Sequence, residues 1–142
     1  MHVKSIMSST VYSVQTTDPI ARAAQTMADN DVGFLPVLDG RKIVGVVTDR
    51  DIAIRGVAQG KGPDTPVREI MSDSKVLYCF EDDDLNDVAK NMGSERVRRL
   101  PVVNKDKRLV GIVSIGNIAQ RESKSAGKAV RGVSQPGGAH RQ

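Results

Sequence analysis

Apolar positions along this chain come in short blocks whose spacing switches between helical and alternating, and the cycle occurs twice. Ile20, Ala23, Ala24, Met27 and Ala28 stand at helical spacing and predict a helix with one apolar face, with Asp18 as N-cap and Pro19 in the first helical position. Phe34-Leu-Pro-Val-Leu38 and Ile43 to Val47 predict two short strands around a turn at Asp39-Gly40. A closing helix then carries Ile52, Ala53 and Val57. In the second half, Leu85, Val88, Ala89 and Met92 repeat the helical face, Leu100-Pro101-Val102 and Leu109 to Val113 repeat the strands around a turn at Asn104 to Lys107, and a last helix starts near Asn117.

Residue for residue, Val3-Lys-Ser-Ile-Met7 is answered by Val67-Arg-Glu-Ile-Met71, Leu35-Pro36-Val37 by Leu100-Pro101-Val102, and Gly45-Val-Val-Thr48 by Gly111-Ile-Val-Ser114. The offset grows from 64 to 66 along the repeat, as two single-residue loop insertions in the second copy would produce. With a short extended segment before each first helix, the order is β-α-β-β-α, twice. The expected organisation is a first repeat over 1–59, a Gly/Pro-rich linker over 60–66, a second repeat over 67–122 and a disordered basic tail over 123–142.

Composition narrows the function classes. The chain has 142 residues, 39% of them hydrophobic, but only two Tyr, two Phe and no Trp, so its core is aliphatic. The pI of about 9.4 suggests nucleic acid until the charge is located. The first 122 residues hold 17 acidic and 17 basic side chains, and the surplus lies in the tail. A neutral body without a basic, aromatic-studded surface ranks nucleic-acid binding last. The single Cys79 forms no internal disulfide, and no long apolar run marks a signal peptide or membrane span, so a cytoplasmic protein without membrane attachment is expected. His2 and His140 sit at the extreme termini, Cys79 has no histidine near it in sequence, and neither a P-loop nor a dinucleotide-binding Gly fingerprint occurs. No catalytic residues and no metal ligands are therefore expected. The acidic run Glu81 to Asp84 is read as favourable charge at a helix N-terminus.

Ile-Met opening each copy, L-P-V on the middle strand and G-h-h-[TS]-x-x-D/N after the hairpin together resemble the CBS (cystathionine β-synthase) domain family, over about Val3 to Ala119. The resemblance implies an α+β fold, two tandem β-α-β-β-α repeats packed as a pseudo-twofold Bateman module. It also implies a regulatory, signal-transducing role rather than catalysis, with an adenosine-containing ligand in the cleft between the repeats. AMP stands first among the candidates, with ADP, ATP, NAD and S-adenosylmethionine as others. A homodimer is expected, because family modules pair through their helices and the aliphatic helix faces exceed what one small module covers. The output would pass to a separate effector protein. The competing reading is a ligand-free module for structural dimerisation or partner docking.

The candidate ligand residues follow from the motif and its chemistry. The turn Gly45-Val-Val-Thr48-Asp49-Arg50-Asp51 places a carboxylate, Asp51, that can accept hydrogen bonds from both hydroxyls of a ribose, while Thr48 adds a hydroxyl and Arg50 a possible phosphate ligand. Thr48-x-x-Asp51 is equally a capping box, in which both side chains satisfy backbone donors. Arg98 and Arg99, just before the second L-P-V strand, match the family's phosphate-reaching positions, where the first copy has Gly33-Phe34. Phe34, Leu35 and Pro36, with the strand end near Thr17, are the expected adenine slot. One site drawing on both repeats is the economical expectation. A second, weaker site would use Leu100, Pro101, Ser114 and Asn117, because Asn117 replaces the ribose carboxylate.

Overall fold

A computed structural model describes residues 1–72 and 77–121. The predicted order holds in both halves. The first sheet comprises β1 (Val14–Gln15), β2 (Phe34–Asp39) and β3 (Lys42–Thr48), with α1 (Ile20–Asn30) between β1 and β2. β1 runs parallel to β2, and β2 pairs antiparallel with β3. The second sheet repeats this with β4 (Cys79–Phe80), α3 (Leu85–Glu95), β5 (Arg99–Val103) and β6 (Leu109–Ser114), followed by α4 (Ile115–Arg121). Behind β3, α2 (Asp49–Asp51) continues into a π-helical turn, Ile52–Gly56, and a 3-10 turn, Val57–Gln59. The mixed α+β fold of two three-stranded sheets is the one expected. The expected tail, 123–142, lies outside the described residues. No helix among the described residues is long and apolar enough to cross a membrane.

The compact units do not follow the order of the repeats. One unit, Tyr12–Val76, holds β1–β3; the other joins Met1–Val11 to the chain from Leu77 onward and holds β4–β6. Each Ile-Met segment thus completes the core of the other copy's unit. Val3 and Ile6 are buried with Leu85, Met92 and Val102, and Val67 and Ile70 with Ile20, Met27 and Val37. Each such side chain contributes about 1.5–3 kcal/mol on burial.

Close approach of these segments explains a glycine in each repeat. Ser8 exchanges two backbone hydrogen bonds with Ile112, and Ser72 does the same with Val46. A Cβ on Gly111 would lie 2.8 Å from the Ser8 carbonyl oxygen, and one on Gly45 would lie 2.9 Å from that of Ser72. The glycine of the G-h-h motif is the space in which Ile-Met-Ser pairs.

The N-terminal segment is also held ionically, Lys4 Nζ lying 2.8 Å from Asp82 Oδ1. That hydrogen bond holds the Asp82 carboxyl below its ordinary value and raises Lys4 above its own. A carboxyl depressed in the folded state contributes stability above its unfolded-state value, and the contribution is lost as pH falls through the folded one. Both side chains are exposed, so the effect is small.

Three local expectations are corrected. The Asp18 carboxylate accepts the Gln15 N–H at 2.8 Å and does not cap α1, whose N-cap is Pro19. The duplicate Asp83 accepts the Phe80 N–H in the same way, and Asp84 takes over capping by accepting from Asn86 N. On α1 the buried face is Ile20, Ala23 and Met27, with Ala24 and Ala28 exposed. Beyond α2, Gly56 faces inward and Val57 outward, since the π-helical turn rotates the face away from the 3.6-residue period.

Candidate functional site

The turn from β3 into α2 is built by a reciprocal cap. Asp51 N–H donates to Thr48 Oγ1 at 3.1 Å, and Thr48 N–H donates to Asp51 Oδ2 at 3.0 Å. The capping box read from sequence is therefore present, and it spends only one carboxylate oxygen. Oδ1 lies 4.0 Å from Arg55 Nη1, in a side chain that is 17% exposed. Arg55 is itself anchored on the Met71 carbonyl at 3.0 Å. The cap thus fixes the carboxylate through Oδ2 and leaves Oδ1 at the edge of an ion pair with Arg55.

In the other unit the same turn has the opposite polarity. Asn117 Oδ1 accepts both Ser114 N–H and Ser114 Oγ–H, at 3.0 and 2.9 Å, and Asn117 N–H donates to Ser114 Oγ at 3.1 Å. Because a backbone N–H only donates, the carbonyl oxygen must face inward, which leaves the amide NH₂ as a donor where Asp51 offers an acceptor. We expect Asn117→Asp to restore an acceptor without losing the cap. Calorimetry would then show a second, weaker binding event for a ribonucleotide, while an unchanged single isotherm would assign Asn117 to capping alone.

A second asymmetry lies one strand away. Asp49 N–H donates to the Gly33 carbonyl, and Ile115 N–H to the Arg98 carbonyl, both at 3.0 Å. A Cβ on Gly33 would sit 2.8 Å from Asp49 Oδ2, so the Asp49 carboxylate fills the space that a side chain would need. With Ile115 in place of Asp49, the second copy accommodates Arg98, which is exposed. The first corner carries Asp49 and Asp51 with Arg50 between them, whereas the second has Ile115, Gly116 and Asn117 at the matching positions and carries Arg98 and the half-buried Arg99. Arg96, in the left-handed conformation at φ 58°, closes α3 through its backbone N–H.

Of the remaining expected residues, Thr17 and Arg50 are exposed, and the Arg50 N–H donates to Asp49 Oδ1 at 2.9 Å. Leu35 belongs to the core of its unit. Phe34 and Pro36 are buried on the other face of β2, as strand alternation requires. Leu100 is both core and the wall of a cavity of about 280 Å³, and Pro101, its neighbour, is buried.

That cavity lies within the β4–β6 unit, and sequence reasoning did not find it. Its apolar walls are Leu77, Val88, Val97 and Leu100, joined by Tyr78 and Cys79, and its polar lining is Asp83, Asn91 and Glu95. The signal available was the repeat, because the wall residue Leu100 duplicates Leu35, already assigned to a base slot. Burial and the nearby Asp83 charge push the Cys79 thiol up to about 12, which leaves it protonated and inert at neutral pH.

The duplicated sheets, the Ile-Met segments and the capped turns define a tandem-repeat module, and comparison with known proteins gives its family. The CBS domain model matches residues 3–56 and 67–124, so the chain belongs to the CBS domain family. It is 38% identical over 134 residues to the CBS domain-containing protein YhcV of Bacillus subtilis (strain 168), covering 93% of this chain and 94% of that one. Among solved structures it is similar to the CBS domain pair of protein MJ0100 in complex with 5′-methylthioadenosine and S-adenosyl-L-methionine, with 30% identity and a TM-score of 0.72 over 87% of this chain and 97% of that one. It is also similar to CBSX2 in complex with AMP, with 25% identity and a TM-score of 0.72 over 87% and 96% of the two chains.

Proposed function

We propose that this chain is a regulatory module that binds an adenine nucleotide, AMP first, and passes the signal to a separate effector rather than catalysing a reaction. The observation that carries the reading is Asp51, a carboxylate fixed by its own capping box through Oδ2, with Oδ1 making only a 4.0 Å ion pair to Arg55. An anchored acceptor suits a vicinal diol, because charge-assisted hydrogen bonds to both hydroxyls form without ordering a mobile side chain. The complexes of MJ0100 and CBSX2 support the adenosine-containing class. Arg50, next to Asp51 in the same turn, is a cationic group of the kind a 5′-phosphate needs. The non-catalytic reading is supported by the inert Cys79 thiol.

Thermal unfolding tests this proposal, since a ligand that binds only the folded chain stabilises it by about 2.7 kcal/mol at a hundredfold excess over Kd. A rise in Tm with AMP that ribose 5-phosphate does not reproduce is the expected result. No rise with any adenine nucleotide would favour the ligand-free module.

Self-association has an observation of its own. Ile54 is 49% and Val57 71% exposed on the helical segment after β3, beside the exposed Ala53 and Ala58. A homodimer that covers this face is expected, and light scattering at tens of micromolar should report twice the chain mass. Ile54→Asp with Val57→Asp should return the monomer with folding intact. A wild-type chain that is already monomeric there would remove the dimer from the account.

A further inference from the structure

Each Ile-Met segment lays a thioether sulfur on the glycine of the strand it pairs with. A Cβ on Gly111 would lie 2.5 Å from Met7 Sδ, and one on Gly45 would lie 3.0 Å from Met71 Sδ, so in both units the sulfur occupies the space that a side chain would need. The Ser8 and Ser72 carbonyl oxygens stand against the same two positions, at 2.8 and 2.9 Å. The five methionines of the chain differ in access to solvent. Met1 is 56% exposed, and Met27 and Met92 are buried in the two cores. Met7 and Met71 lie between these extremes, half-buried and packed against those cores.

We propose that Met7 and Met71 are a matched pair of oxidation sites, whose conversion to the sulfoxide by hydrogen peroxide releases the Ile-Met-Ser segments from β6 and β3. The sulfur attacks one peroxide oxygen, the S–O bond forms as the O–O bond breaks, and the departing hydroxide takes the proton of the transferred oxygen and leaves as water. Sulfur is oxidised by two electrons and the peroxide is reduced by the same two. The product carries a polar, acceptor-only oxygen where an apolar, polarizable sulfur stood. At this place it meets a second acceptor, the Ser8 or Ser72 carbonyl. The N–H groups of Ile112 and Val46 are already spent on those carbonyls, at 2.9 and 3.0 Å, so the new oxygen finds no donor in the pairing. An acceptor left unsatisfied in a half-buried contact costs stability. In the β1–β3 unit the effect adjoins the candidate ligand turn, because the Met71 carbonyl accepts from Arg55, the ion-pair partner of Asp51. Methionine sulfoxide reductases return each epimer to the thioether, so the release is reversible.

The test treats the full chain with hydrogen peroxide in small steps, locates each added oxygen by peptide mass spectrometry and follows amide hydrogen exchange by NMR. After Met1, Met7 and Met71 should gain oxygen before Met27 and Met92. In chains oxidised at Met7 and Met71, the amides of Ser8, Ile112, Val46 and Ser72 should exchange roughly five- to thirtyfold faster, as a destabilisation of ordinary size gives. Methionine sulfoxide reductases A and B should restore the original rates. Met7→Leu with Met71→Leu keeps the apolar volume and removes both sulfurs, so this double variant should exchange alike before and after peroxide. Wild-type chains oxidised at Met1 alone, formed at the lowest dose, give the same comparison without a substitution. Oxygen on Met7 and Met71 with unchanged exchange at the four amides would overturn the proposal, as would oxidation of Met27 and Met92 at the same rate.

Discussion

Asp51→Asn is expected to fold like wild type and to lose AMP affinity by roughly ten- to a hundredfold, the range of a charge-assisted hydrogen bond to a ligand. The protein contains its own control for the substitution. In the second repeat Asn117 closes the same box with its carbonyl oxygen turned inward, so the amide introduced by Asp51→Asn would satisfy the Thr48 N–H and present a donor where a carboxylate oxygen had been. Asp51→Ala is the less clean experiment, because it also removes half of the box and costs about 1 kcal/mol of stability. Against 2′-deoxy-AMP the Asp51→Asn variant should lose less than against AMP, a cycle that isolates the contact with the diol. Equal affinity of wild type and Asp51→Asn for AMP would confine Asp51 to capping.

The largest effect on stability is expected at Gly111. A methyl group there meets the Ser8 carbonyl oxygen at 2.8 Å and Met7 Sδ at 2.5 Å, and backbone cannot step aside as a side chain can. Gly111→Ala should therefore destabilise by about 1–3 kcal/mol, the cost of overpacking. At about 2–4 °C per kcal/mol for a chain of this size, differential scanning calorimetry would read a drop of several degrees. Gly40→Ala is a useful comparison, since nothing lies within 4 Å of its Cβ position and its cost arises from a φ of +66° alone. A Gly111→Ala protein as stable as wild type would mean that the Ile-Met-Ser segment is not held against β6 as described.

How far the sequence could be read depended on whether the information was local. Leu85, Val88, Ala89 and Met92 form the buried face of α3 as their spacing indicates, because helical period and burial coincide there. The hairpins were legible from alternation and from Gly40. Local spacing also revealed the Thr48–Asp51 box, but left open whether the carboxylate had an oxygen to spare. Several features rest on contacts between residues far apart in the chain. The exchange of the Ile-Met segments depends on Gly45 and Gly111, which read in sequence only as motif letters. The reason that Gly33 stands where the second copy has Arg98 is the Asp49 carboxylate beyond a whole hairpin. The cavity collects its walls from β4, α3 and β5, and no window of the sequence contains them together. At Asp18 the local rule was right about the residue type and wrong about its partner, since an aspartate before a helix can serve the preceding turn instead.

Whether the chain binds a nucleotide at all is decided by direct titration of the wild type with AMP, read by isothermal calorimetry. A saturable isotherm with at least one site per chain is expected, weakened when 2′-deoxy-AMP replaces AMP. No heat with AMP, ADP, ATP, NAD or S-adenosylmethionine at millimolar concentration, from a chain that unfolds cooperatively, would contradict it and leave a module that works without a nucleotide.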